Sequence, residues 1–163
     1  MKSRSDFLTR ALLVLSIGAC GLLSITTSVS AANIQTHGSA CHNYNASEAL
    51  DFGYDNGGVT NRASDHRIVI CPVARSPLAP GATSGTFWVD GNNRNGVSTT
   101  CTLFSNDYTG ALMDTVAFTS SKVNYDQPLS LPAAQLPYYG YVSVICSLPG
   151  FSNAMVRGII SVQ

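Results

Sequence analysis

The chain has 163 residues, of which only 11% are charged, nine basic and nine acidic, with no formal net charge. That balance excludes the concentrated Lys/Arg excess by which proteins hold nucleic acid or an anionic membrane surface. Plentiful Ser, Thr, Asn and Gly beside a single glutamate, Glu48, point to strands joined by turns and away from a helical protein.

The N-terminus reads as an export signal. Lys2, Arg4 and Arg10 precede an apolar stretch from Ala11 to Ile25, and Ser28-Val29-Ser30-Ala31-Ala32 offers small residues for cleavage. Ser16, Gly18, Gly21 and Ser24 interrupt the apolar run, which falls short of the ~20 residues needed to cross a bilayer. A permanent transmembrane anchor is therefore not expected. Ile17-Gly18-Ala19-Cys20 loosely resembles a bacterial lipobox, so a lipid anchor through Cys20 stands as the lesser alternative to cleavage near Ala31 or Ala32. With residues 1–32 assigned to the signal, 33–163 make one secreted or periplasmic domain of about 130 residues. Its six basic residues (Arg62, Arg67, Arg75, Arg94, Lys122, Arg157) face eight acids, a net charge of −2.

From 33 to 65 the chain is polar and turn-rich, an irregular segment with one short helical stretch, Ala46 to Leu50, and a turn at Asp55-Asn56-Gly57-Gly58. Strands then follow at regular intervals. Arg67 to Cys71 is β-branched and stopped by Pro72. Gly85 to Asp90 is followed by a Gly91–Gly96 turn and the Thr-rich strand Val97 to Phe104. After the turn at Asn106–Gly110 comes Ala111 to Thr119, with Leu112, Val116 and Phe118 expected on one face. Lys122 to Leu131 is weaker and carries Pro128. Tyr138 to Leu148 is the strongest strand, with Val142, Val144 and Cys146 inward and Tyr139, Tyr141 and Ile145 outward; Ala154 to Val162 ends the series. The fold class is all-β: a disulfide-stapled antiparallel β-sandwich or jelly-roll-like barrel.

Beyond Cys20 the cysteines are Cys41, Cys71, Cys101 and Cys146. Gaps of about 30 residues or more do not suit a thiolate zinc site, and an even set in an exported domain implies two disulfides. Four cysteines allow three connectivities. The preferred one is Cys41–Cys71, pinning the N-terminal segment to a strand, with Cys101–Cys146 joining two strands of similar pattern.

Catalytic signals are sparse. The histidines are His37, His42 and His66. Ser39, Ser64, Asp65 and His66 supply triad residue types without a GxSxG elbow. Glu48, Asp51, Asp55 and Asp65 supply carboxyls for a glycosidase pair, although solvated turn acids are the preferred reading. Asp51, Asp55 and Asp65, with Asn56 and Asn61, are weak calcium candidates whose spacing does not match an EF-hand. Phosphate-loop, dinucleotide and zincin motifs are missing, and no cofactor is expected. Asn45-Ala46-Ser47 fits the N-glycosylation pattern.

Aromatic display is the remaining feature. Trp88, Tyr108, Tyr125, Tyr138, Tyr139 and Tyr141 can offer flat surfaces to sugar rings, with Asp90, Asn92 and Asn93 giving hydrogen bonds. The site proposed on this reading is Trp88, Asp90, Asn92, Tyr139 and Tyr141. In the competing reading Trp88 packs on a disulfide and the tyrosines cover a sheet edge.

Three segments carry a resemblance: Arg67-Ile68-Val69-Ile70-Cys71-Pro72-Val73-Ala74-Arg75, Cys101-Thr102-Leu103-Phe104-Ser105, and Tyr141 through Pro149. Together they resemble a loose group of small exported bacterial proteins, mostly of unassigned function. The resemblance implies a bacterial source and an exported β-domain and carries no catalytic residues. Fimbrial subunits are also exported disulfide-bearing sandwiches, but the C-terminal Ile159-Ile160-Ser161-Val162-Gln163 departs from their penultimate aromatic. The expectation is a non-enzymatic exported protein with a binding or structural role, its partner a glycan or another surface protein. A carbohydrate-binding module is the main alternative and a small hydrolase the third.

Overall fold

The computed structural model describes residues 33–55 and 57–162. The expected signal segment 1–32 with its lipobox-like Cys20, and Asn56, lie outside the described residues. Among the described residues, eleven strands build two facing antiparallel sheets. One holds β1 (Ile34–His37), β3 (Phe52–Gly53), β4 (Val59–Asn61), β6 (Ser84–Asn93), β9 (Asn124–Pro132) and β11 (Ala154–Val162). The other runs β2 (His42–Asn43), β5 (Arg67–Pro72), β10 (Tyr141–Leu148), β7 (Thr99–Asn106), β8 (Leu112–Ser120). We call them the first and second sheets.

The core lies between them and follows from period-2 alternation. Phe87 and Val89 of β6, Leu129 and Leu131 of β9, and Val156 and Ile159 of β11 face Val69, Leu103, Val144 and Leu148 of the second sheet. The intervening residues of β6 and β10 are more accessible. Pro128 is tolerated because β9 is an edge strand.

Both disulfides are present in the preferred pairing, Cys41–Cys71 and Cys101–Cys146. Each links neighbouring strands of the second sheet: Cys101 and Cys146 are direct cross-strand partners, and Cys41 precedes His42, which pairs with Ile70. All four cysteines are buried.

Several expectations need correction. The segment 33–65 is not irregular: it supplies β1 and β4, which pair with β11, as well as β2 and β3. Its helical stretch is a 3-10 turn over Ala46–Asp51. Strand β6 continues through Gly91 to Asn93, beyond the expected turn. Strand β10 starts at Tyr141, since Tyr138 and Tyr139 sit in the preceding turn. Leu112 does not join Val116 and Phe118 against the core but is 58% exposed, because the β7–β8 register slips between Ser105 and Asn106.

Candidate functional site

The outer face of the first sheet carries the most developed surface. With Phe87, Val89 and Gly91 turned inward, Trp88, Asp90 and Asn92 of β6 point outward in a line about 13 Å long. Trp88 lies between Ile160 of β11 and Pro128 of β9 in the cross-strand register. It therefore does not pack on a disulfide: both bridges belong to the second sheet, and the inward neighbours of Trp88 separate it from them.

Beside Asp90 the face sinks into a hollow of about 350 Å³ lined by Gln35, Asp90, Asn124, Arg157 and the backbone around Gly91 and Gly158. A bulge in β11 makes this possible. The register with β6 shifts between Val156 and Gly158, leaving Arg157 without a cross-strand partner. Bulges of this kind re-aim a side chain, here toward the hollow. Gly91 is required on the inner side, where a Cβ would collide with the Tyr125 hydroxyl and the Met155 carbonyl. A smaller hollow of about 150 Å³ follows beyond Asn92, bounded by Asp55, Thr60, Arg94, Ser152 and Met155.

Asp90 and Asp126 are direct cross-strand partners. Burial pushes the Asp90 carboxyl up to about 6, and the hydrogen bond and negative charge of Asp126 push the same way, while Arg157 opposes them. Like charges directly opposite each other destabilise a sheet. The native fold thus holds a proton that the unfolded chain releases at about 3.9. This contribution to stability is complete below that value, and it disappears as pH rises through about 6. Asp126→Asn should melt with the parent below pH 4 and above it at pH 7.5. Thermal unfolding at the two pH values checks this, and coincident curves at pH 7.5 would contradict the account.

The structure separates the five proposed site residues. Trp88, Asp90 and Asn92 share the first sheet, whereas Tyr139 and Tyr141 precede and open β10 of the second. Asn93 is a buried residue, 1% exposed, and gives no surface hydrogen bond. Asp126, Arg157, Gln35 and Asn124 escaped the sequence reading. Asp126 and Asn124 do fall in step with Pro128, but cross-strand pairing, which brings Asp126 to Asp90, has no local signal.

Of the acids of the N-terminal segment, Glu48 and Asp51 meet at one arginine and Asp55 pairs with another. Asp51 binds Arg67 at 2.7 Å, with Glu48 at 3.9 Å from the same nitrogen, and Asp55 binds Arg62 at 2.7 Å. Asp65 is exposed and its carbonyl accepts from Asn61. His66 reaches Ser147 at 3.4 Å, and His42 is exposed on β2. Among the described residues no three His, Cys, Asp or Glu side chains are placed to hold a metal ion.

No protein-family model matches the chain, and no curated protein does. Solved structures do. A family 35 carbohydrate-binding module from Clostridium thermocellum superposes with a TM-score of 0.50 at 12% identity, over 80% of this chain and 98% of that one. A xylan-binding module of family 15 gives 0.50 at 11%, over 82% and 97%. An isomalto-dextranase from Arthrobacter globiformis T6 gives 0.46 at 12%, over 79% of this chain, which spans only 23% of that one. At these identities the likeness is one of fold: the chain is a two-sheet β-sandwich. Among the described residues no helix is long and apolar enough to cross a membrane.

Proposed function

We propose that the protein is an exported, non-catalytic carbohydrate-binding domain of bacterial origin, and that it holds its ligand on the outer face of the first sheet. The observation that carries this reading is the alignment of Trp88, Asp90 and Asn92, each partly exposed, on one outer face that carries two polar hollows. A sugar ring stacks on an indole, and its hydroxyls exchange hydrogen bonds with carboxylates, amides and a guanidinium. Asp90, Asp126, Asn124, Gln35 and Arg157 supply all three. The acid pair costs stability at neutral pH, as expected of groups kept for binding.

The sandwich shared with carbohydrate-binding modules is compatible with the reading and does not choose the ligand.

Trp88→Ala should weaken binding about thirtyfold or more, the loss expected for a hot-spot aromatic; Trp88 is only partly exposed, so the variant also melts lower and affinity is compared where both proteins are folded. A glycan array followed by calorimetry on the best ligand measures it. Equal affinities for parent and variant would remove Trp88 from the site and with it the proposal.

A further inference from the structure

Of the tyrosines outside this site, four are the most exposed. Tyr108, Tyr138, Tyr139 and Tyr141 are 72%, 66%, 76% and 65% exposed. The segments that carry them lie at one end of the sandwich. Tyr141 pairs with Asn106, the last residue of β7, where the turn carrying Tyr108 begins. Gly140 packs against the Asn106 carbonyl so closely that a Cβ would not fit. The Tyr138 and Tyr139 rings meet edge to face, with centroids 4.7 Å apart.

The turn beneath them is braced from inside. Ser105 Oγ donates to the Gln135 carbonyl at 2.6 Å. The Arg75 guanidinium donates to the carbonyls of Pro137 and Gly140, on either side of Tyr138-Tyr139. Arg75 is half-buried, has no carboxylate partner among the described residues, and burial lowers its pKa. A desolvated cation without a counter-ion costs stability. Its return is a turn held in one shape, and rigid tyrosines lose little entropy on binding.

We propose that this tyrosine end is a second sugar-binding surface, and that the protein joins two neutral polysaccharide chains, one on each surface. The surface stands on its own geometry; the joining rests on the carbohydrate reading of the Trp88 face. Neutral sugar is the partner that the chemistry favours. The nearest charges are spent internally: Arg75 on the turn, and Asp107 on the backbone N–H groups of Thr109 and Ala111 and on the Thr109 hydroxyl. What remains is tyrosine rings and hydroxyls beside Asn106 and Thr109, which stack on and hydrogen-bond to a polyol but offer a charged partner no counter-charge. Trp88 and Tyr141 belong to opposite sheets, so filling both surfaces takes two chains, and avidity follows from their linkage.

Native electrophoresis through gels containing xylan, barley β-glucan or galactomannan tests the idea, with turbidity of the soluble polysaccharide as the readout of joining. Trp88→Ala and the double variant Tyr138→Ala/Tyr139→Ala should each remain retarded but less than the parent, their combination should run freely, and only the parent should cloud the solution. The substituted tyrosines are exposed, so the tyrosine variant should melt with the parent. A Trp88→Ala protein that runs freely in every gel overturns the second surface while sparing the first. A tyrosine variant that is retarded and clouds the solution like the parent overturns it equally. If the tyrosine variant runs freely while Trp88→Ala is unchanged, the Trp88 face and the joining fall. A parent that no gel retards overturns both surfaces.

Discussion

Replacing Cys101 and Cys146 by alanine should lower stability by about 4 kcal/mol, the chain-entropy value for a closed loop of 45 residues. The Cys41–Cys71 bridge closes 30 residues and carries a similar increment, only slightly smaller on the same logarithmic scale. Whole domains are stable by about 5–15 kcal/mol, so loss of both bridges removes a large fraction of the total. Each double substitution should lower the melting temperature by roughly 10–15 °C, and full reduction should leave the domain unfolded or nearly so at 37 °C. Circular dichroism during reductive titration measures the second outcome, and thermal scans of the variants measure the first. Both bridges constrain only the second sheet, so their effect is indirect for the Trp88 face. A reduced protein that melts within two or three degrees of the oxidised one would mean that burial alone holds the second sheet together.

Where the sequence was legible, a strong local signal matched the final environment. Strand β11 is read correctly from Ala154 to Val162 because its β-branched residues serve a central strand. The disulfide pairing is legible for a related reason: two strands of like pattern, each with a central cysteine, pair in register. Strands β1 to β4 are missed because runs of only two to four residues carry no period. β1 and β4 form by pairing with β11, β2 by pairing with β5, and β3 by pairing with β4. At the site, Trp88, Asp90 and Asn92 were named for aromatic and hydrogen-bonding display, and the continuation of β6 through the expected turn puts all three on one face. Asp126 and Arg157 come from strands 36 and 67 residues beyond Asp90, brought there by edge pairing and a bulge. Grouping Tyr139 and Tyr141 with Trp88 fails because strand order, which sets which sheet a strand joins, leaves no mark on local composition.

Asn92 and Asn93 show how far one position can separate surface chemistry from structure, since a shift of one residue along a strand reverses the face. The Asn93 side chain is sealed between the sheets. Its Nδ2 donates to the Ser120 carbonyl at 2.8 Å and the Lys122 carbonyl at 3.1 Å, and its Oδ1 accepts from the Thr99 hydroxyl at 2.6 Å. It thereby ties β6 of the first sheet to the ends of β7 and β8 in the second. Asn61 makes an equivalent clamp between β4 and β10, donating to the carbonyls of Asp65 and Leu148 and accepting from the Ala63 N–H. Alanine at 93 would take a partner from the buried Ser120 carbonyl and Thr99 hydroxyl and from the part-buried Lys122 carbonyl, a buried group costing about 1–3 kcal/mol when unsatisfied. Asn93→Ala should therefore cost about 3 kcal/mol or more in urea unfolding, whereas Asn92→Ala should stay within about 0.5 kcal/mol of the parent. Binding should reverse the order: Asn92→Ala weakens sugar affinity, and folded Asn93→Ala retains it. Equal stability losses at the two positions would show that the inward and outward faces of β6 had been misassigned, and the Trp88 surface would then have to be redrawn.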